Sequence, residues 1–194
     1  MIYTPKKFDN LIGTPGFSET ILKNHFTLYE GYVTNFNKLD QTLMAMEKEG
    51  KFGTPEFNEL NRRFGWEFNG MRLHELYFEN MAKKSSNFPN EGQLADRILS
   101  EWGSHDLFRK DFTAMGAMRG IGWVILYHDP VANRLFNVWV NEHDMGHLAG
   151  CKPLLVLDVF EHAYTLDYGL KKTDYIEAFF KAIDWNTVAG RFTK

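Results

Sequence analysis

The chain has 194 residues, 44% of them hydrophobic, with 17 Phe, 8 Tyr and 5 Trp, which is ample for one packed domain or two smaller ones sharing an interface. A formal net charge of -3, with lysines and arginines confined to short pairs such as Lys6-Lys7 and Arg62-Arg63, argues against a general nucleic-acid binder, which needs clustered basic surface. The lone Cys151 excludes an internal disulfide, and neither a signal-like N-terminus nor an uncharged run of the ~20 residues that a membrane helix needs is present, so a soluble, cytoplasmic protein is expected.

Apolar residues recur at helical spacing over residues 17–49, with Ser18 as the cap and Gly50 as the stop. The pattern resumes over 55–83, and the Gly50–Pro55 stretch between them reads as a turn, predicting an antiparallel α-hairpin. Shorter helices follow over 90–99 and 105–117. After Gly120-Ile121-Gly122 the texture changes to strand-like runs at 123–127, 135–140 and 153–157, the first two separated by Asp129-Pro130 and Ala132-Asn133 turn chemistry. The tail returns to helix over 173–182 and 186–192. The expected fold class is α+β: a helical hairpin domain (1–87), then a domain (88–194) with a small, mainly antiparallel three-stranded sheet flanked by helices.

Asp158-Val159-Phe160-Glu161-His162-Ala163-Tyr164 places a carboxylate and an imidazole four residues apart, directly after the apolar run Leu154-Leu155-Val156-Leu157. If a helix begins there, both side chains share one face and reach one cation; if not, Asp158 is an ordinary cap and His162 a hydrogen-bonded core histidine. His25 and His74 each lie in an apolar helical pattern, one on each arm of the hairpin. Three imidazoles and a carboxylate suit Fe, Mn or Zn. His74-Glu75 begins a zinc-protease motif, but Phe78 stands where its second histidine belongs.

Five segments together resemble the iron/manganese superoxide dismutase family. They are His25 with Tyr32-Val33-Thr34-Asn35, His74 to Met81, Gly120-Ile121-Gly122-Trp123, Asp158 to Tyr164, and Asp184-Trp185-Asn186. Phe78 and Phe160 replace the family's tryptophans. The resemblance implies His25, His74, Asp158 and His162 as ligands of one Fe or Mn ion between the two halves, and Tyr32 as the active-site phenol. It implies Trp123 and Tyr164 around the site, and Glu161 reaching His162 of the partner subunit in a homodimer or homotetramer. Superoxide is the implied substrate, with disproportionation to oxygen and hydrogen peroxide. The competing expectations are a zinc-dependent hydrolase on the same ligands and an inactive metal-binding relative.

Several positions depart from the family pattern. His25 and Tyr32 are one residue closer than usual, the usual histidine between them is absent (Leu28 or Tyr29 lies there), and Thr165 replaces a second tyrosine. Lys172 stands where Arg is common and cannot copy its bidentate fork. No outer glutamine is present: Gly70 occupies one of its two possible positions, and Val140-Asn141-Glu142-His143-Asp144 the region of the other. His143 is assigned to that role, which favours iron or use of either metal. Tyr29, Tyr77, Lys172 and His147 are the weaker site candidates.

Overall fold

The computed structural model describes residues 2–193. Two long helices come first, α1 (Glu19–Lys48) and α2 (Pro55–Glu79). The Ser18 hydroxyl caps α1 by accepting from Ile21 N at 3.1 Å, and Thr54 caps α2 by accepting from Phe57 N at 3.3 Å. Pro55 opens α2, where its missing N–H needs no partner. As numbers rise along α1 they fall along α2: His25 meets Phe78, Tyr32 meets Gly70 and Phe36 meets Phe64. The arms are therefore antiparallel, as expected.

α2 stops at Glu79 rather than running on to 83. Asn80, fully buried, turns its side chain out to β-strand backbone, donating Nδ2 to Val156 O at 2.7 Å and accepting from Val156 N at 3.3 Å. Met81 then bridges to Ile183. These partners are remote in sequence, so helical periodicity carried no sign of them.

Helices α3 (Gln93–Trp102) and α4 (His105–Gly116) follow. α3 starts and ends later than the expected 90–99, stopping where Gly103 adopts φ 78°. The sheet comprises β1 (Gly122–Asp129), β2 (Arg134–Asn141) and β3 (Lys152–Asp158), in the order β2-β1-β3 with both pairings antiparallel. Trp123 pairs with Asp158 on one side and Val140 on the other, which sets the site at one end of the sheet. The β1–β3 register slips between Leu126 and Tyr127, and Pro153 is tolerated because β3 is an edge strand.

Beyond β3 the chain does not enter a helix. Asp158 Oδ1 accepts from Phe160 N at 2.8 Å, Phe160 is extended with ψ 152°, and only then does a 3-10 turn form over Glu161–Ala163. The expectation of a shared helix face for Asp158 and His162 is thus corrected: a side-chain-closed turn brings them together. A one-turn helix α5 (Thr165–Tyr168), then α6 (Lys172–Ala182) and α7 (Trp185–Thr193), complete the chain. One apolar cluster runs from Phe8 and Phe78 through Trp123 to Tyr175 and Phe179, so the hairpin and the sheet region share a core. No described helix is long and apolar enough to cross a membrane.

Candidate metal centre

His25 from α1, His74 from α2, Asp158 from the end of β3 and His162 from the 3-10 turn bring one ligand atom each to within 4.8 Å of one another. Their meeting point is Asp158 Oδ2, which lies 3.1 Å from His25 Nε2, 3.2 Å from His162 Nε2 and 3.6 Å from His74 Nε2. His25, His74 and Asp158 are buried and His162 is half-buried. His74 Nδ1–H donates to Gly70 O at 2.5 Å, which fixes the tautomer and leaves Nε2 as a bare lone pair. That Nε2 is buried without a hydrogen-bond partner, an expensive state that a cation relieves.

The electrostatics prepare the same state. Burial lowers His25 and pushes His74 well below the usual histidine range, so both stay neutral. Burial alone would raise Asp158, but the adjacent His162 and His25 outweigh it and hold the carboxyl well below its usual range. Neutral His25 and His74 beside the ionised Asp158 carboxylate are in the protonation states that metal binding requires. The donor set fits a borderline first-row ion such as iron or manganese.

Around this group, Tyr32 stacks on His74 with ring centroids 5.1 Å apart, and its hydroxyl lies 2.8 Å from His143 Nε2. Trp123 Nε1–H donates to His143 Nδ1 at 3.0 Å. An indole N–H only donates, so Nδ1 must accept and Nε2 must carry the proton, which it donates to Tyr32. Burial lowers His143 to about 4 and keeps it neutral. His143 is fully buried even though it sits in the connection after β2, beside Glu142 at φ 49°. Gly122 makes that close approach feasible, since a Cβ there would fall 2.1 Å from Val140 O.

His147 lies outside this group and braces it, with Nε2 2.8 Å from His143 O and Nδ1 2.6 Å from the Tyr127 hydroxyl. The Tyr29 hydroxyl donates to Glu75 Oε1 at 2.9 Å. Tyr77 packs on His25 at 5.3 Å and its hydroxyl meets that of Tyr175, 3.1 Å away. Tyr164 stacks on Tyr175 at 5.6 Å, and Lys172 Nζ lies 5.8 Å above the Tyr164 ring while donating to Met118 O at 2.9 Å. Glu161 is exposed.

Sequence reasoning missed three contributors. Tyr175 donates its hydroxyl to Asp158 O at 2.7 Å, and Phe160 stacks between His143 at 4.8 Å and His162 at 5.3 Å. Trp66 stands edge-on to His143 at 4.6 Å and anchors its Nε1 on Glu142 Oε2 at 3.1 Å. Trp66, Gly70 and His74 recur every four residues on one face of α2, a signal present in the sequence.

Gly70 has a steric role as well as its carbonyl. A Cβ there would lie 2.5 Å and 2.7 Å from Tyr32 Cδ1 and Cε1. Gly70→Ala is therefore expected to destabilise the fold by about 1–3 kcal/mol through overpacking, although alanine is the better helix former by roughly 1 kcal/mol. Urea unfolding checks this; a variant as stable as the parent would mean that the Tyr32 ring is free to shift.

Three histidines and one aspartate, set where a helical hairpin meets a three-stranded antiparallel sheet, form a donor group fit for one metal ion. Residues 90–191 match the family model for iron/manganese superoxide dismutases, C-terminal domain. The chain is 37% identical to superoxide dismutase [Mn] 2 of Haloferax volcanii, covering 97% of this chain and 92% of that protein. It is 38% identical to superoxide dismutase [Mn] of Haloarcula marismortui, covering 98% and 91%. It is also 34% identical to superoxide dismutase [Fe] of Saccharolobus solfataricus, again covering 98% and 91%. The chain belongs to the iron/manganese superoxide dismutase family.

Proposed function

We propose that His25, His74, Asp158 and His162 hold one iron or manganese ion and that this centre converts superoxide to oxygen and hydrogen peroxide. The observation that carries the assignment is the convergence of three imidazole Nε2 atoms on one buried carboxylate oxygen, with His74 Nε2 otherwise unpartnered. The bound ion supplies the alternation between +3 and +2 that takes an electron from one superoxide and gives it to the next. The protein positions the ion, keeps its ligands deprotonated and handles protons. Neutral His143, held by Trp123, donates Nε2–H to the Tyr32 oxygen, so the phenol's own proton is left free to be given to the reduced product.

Substrate access fits the cavity lined by Leu28, Gly31, Tyr32, Asn35, Arg63, Trp66 and Glu67. Arg63 is exposed at this cavity, and its positive charge draws in an anion despite the overall -3. Glu161 is proposed to cross to His162 of the partner subunit in a homodimer or homotetramer. Its exposure, and that of Ile121, Leu166 and Leu170 on nearby chain, support such a contact. The lone, half-buried Cys151 supports a cytoplasmic setting.

For the metal, the pairing of Gly70 with His143 supports iron, whereas relatives named for manganese and one named for iron support use of either ion. The test is elemental analysis of purified protein together with superoxide consumption on the same sample, then on separately iron- and manganese-loaded forms. Iron or manganese near one per chain with fast consumption is expected. Zinc without consumption would overturn the function, and activity with manganese alone would overturn the preference for iron.

A further inference from the structure

We propose that Tyr175, backed by Tyr77, is a positioning residue that sets the Asp158 ligand and with it the affinity and geometry of the metal centre; this rests on the metal-centre reading of the site. Neither phenol lines the cavity of about 420 Å³ on which Tyr32 opens, so the role is separate from substrate access.

Asp158 ends β3, where the sheet gives way to the turn. Val159 N donates to Gly122 O at 2.9 Å, so Trp123 and Asp158 face each other without exchanging backbone hydrogen bonds. The Asp158 carbonyl is therefore turned away from β1 and toward α6, where the fully buried Tyr175 hydroxyl meets it at 2.7 Å. The peptide unit joining Asp158 to Val159 is a rigid plane. It is held by β1 through its N–H and by α6 through its C=O. Asp158 Oδ1 is tied as well, to Phe160 N, which leaves Oδ2 for the ion. His162 lies four residues along the same turn, so tilting this peptide moves both ligands at once.

A carbonyl only accepts, so the single Tyr175 O–H points at Asp158 O. The Tyr77 hydroxyl, 3.1 Å away, must then donate to the Tyr175 oxygen. A hydroxyl that receives such a bond is polarised into a stronger donor. Tyr77 follows His74 by three residues on α2 and packs on the His25 ring at 5.3 Å. Phe17 and Tyr164 flank Tyr175 at 6.1 and 5.6 Å, and Phe179 stacks on Tyr77 at 5.7 Å. These rings fill the core whether or not they carry oxygens. What the two hydroxyls add is a chain of directed bonds from α2 through α6 to the backbone of the carboxylate ligand.

Tyr175→Phe keeps the ring and removes only the hydroxyl. The test is titration of metal-free parent and variants with Co(II), read by visible absorption and chelator competition, with urea unfolding of the metal-free forms alongside. Tyr175→Phe should bind Co(II) about tenfold more weakly, with its visible bands shifted. Tyr77→Phe should weaken binding by roughly two- to threefold, and should add nothing in a Tyr175→Phe background, since Tyr77 acts only through Tyr175. Tyr168→Phe removes a different tyrosine bond to a backbone carbonyl, that of Gly16, and should match the parent in affinity and bands. Parent-like affinity and bands in Tyr175→Phe would overturn the proposal, even with lowered urea stability, and leave Tyr175 a packing residue. Should Tyr175→Phe fail to fold, Tyr77→Phe decides: parent-like binding and bands there would overturn it. A parent that binds no Co(II) would sink the metal-centre reading itself, and this proposal with it.

Discussion

Asp158→Asn is expected to empty the metal centre and abolish superoxide consumption while leaving the fold intact. Asparagine has nearly the same volume, and its side-chain oxygen still accepts from Phe160 N, so the turn that follows β3 keeps its closing hydrogen bond. What disappears is the one negative charge on which His25, His74 and His162 converge. A cation left in a fully buried site without its anionic ligand loses roughly 3–5 kcal/mol, which is about two to three and a half decades of affinity. Metal analysis after gel filtration, with urea unfolding of the metal-free protein as the fold control, gives the answer. Full occupancy in this variant would refute the ligand set.

His143→Ala should weaken catalysis about 10- to 100-fold and cost on the order of 3 kcal/mol of stability, with metal retained. The imidazole accepts from Trp123 Nε1, which is completely buried, and donates to Tyr32. Truncation strands the indole N–H without a partner and leaves a void against Phe160 and Trp66, which stack on or abut the imidazole. Because His143 is kept neutral at neutral pH, its contribution is one of hydrogen-bond direction. His143→Gln should therefore recover much of both losses, since one amide offers the acceptor and the donor. Rates within twofold of the parent in the alanine variant would show that Tyr32 needs no orientation from this residue.

The hairpin was legible because its apolar spacing, Ser18 cap and Gly50–Pro55 turn are local features, and local features act over one or two helical turns. The strands were legible for the same reason, as short apolar runs bounded by turn residues. The end of α2 was not, because the Asn80–Val156 pairing that stops it spans 76 residues. The path after Asp158 was misjudged as well: four-residue spacing suits a helix, yet the Asp158 carboxylate closes a tighter turn onto Phe160 N. For the candidate site, ligand types and approximate positions could be proposed from motif resemblance. Tyr175 could not, since nothing in its neighbourhood distinguishes it from an ordinary core aromatic, whereas Trp66 shares a four-residue spacing with Gly70 and His74, and Phe160 lies inside the Asp158 to Tyr164 motif.

By itself the sequence determined the element types, the α+β class, and the presence of histidines and a carboxylate at helical and strand-end positions. These follow from periodicity and caps, which are properties of neighbouring residues. Only the tertiary structure decided that the Nε2 atoms of three histidines meet at one oxygen, that His143 must be protonated at Nε2, and that Glu67 and Tyr32 open on one cavity. Each of those depends on the register of strands and the antiparallel docking of α1 on α2, which bring together groups as far apart as His25 and Asp158. Burial then sets their charge states, and burial is a property of the packed whole.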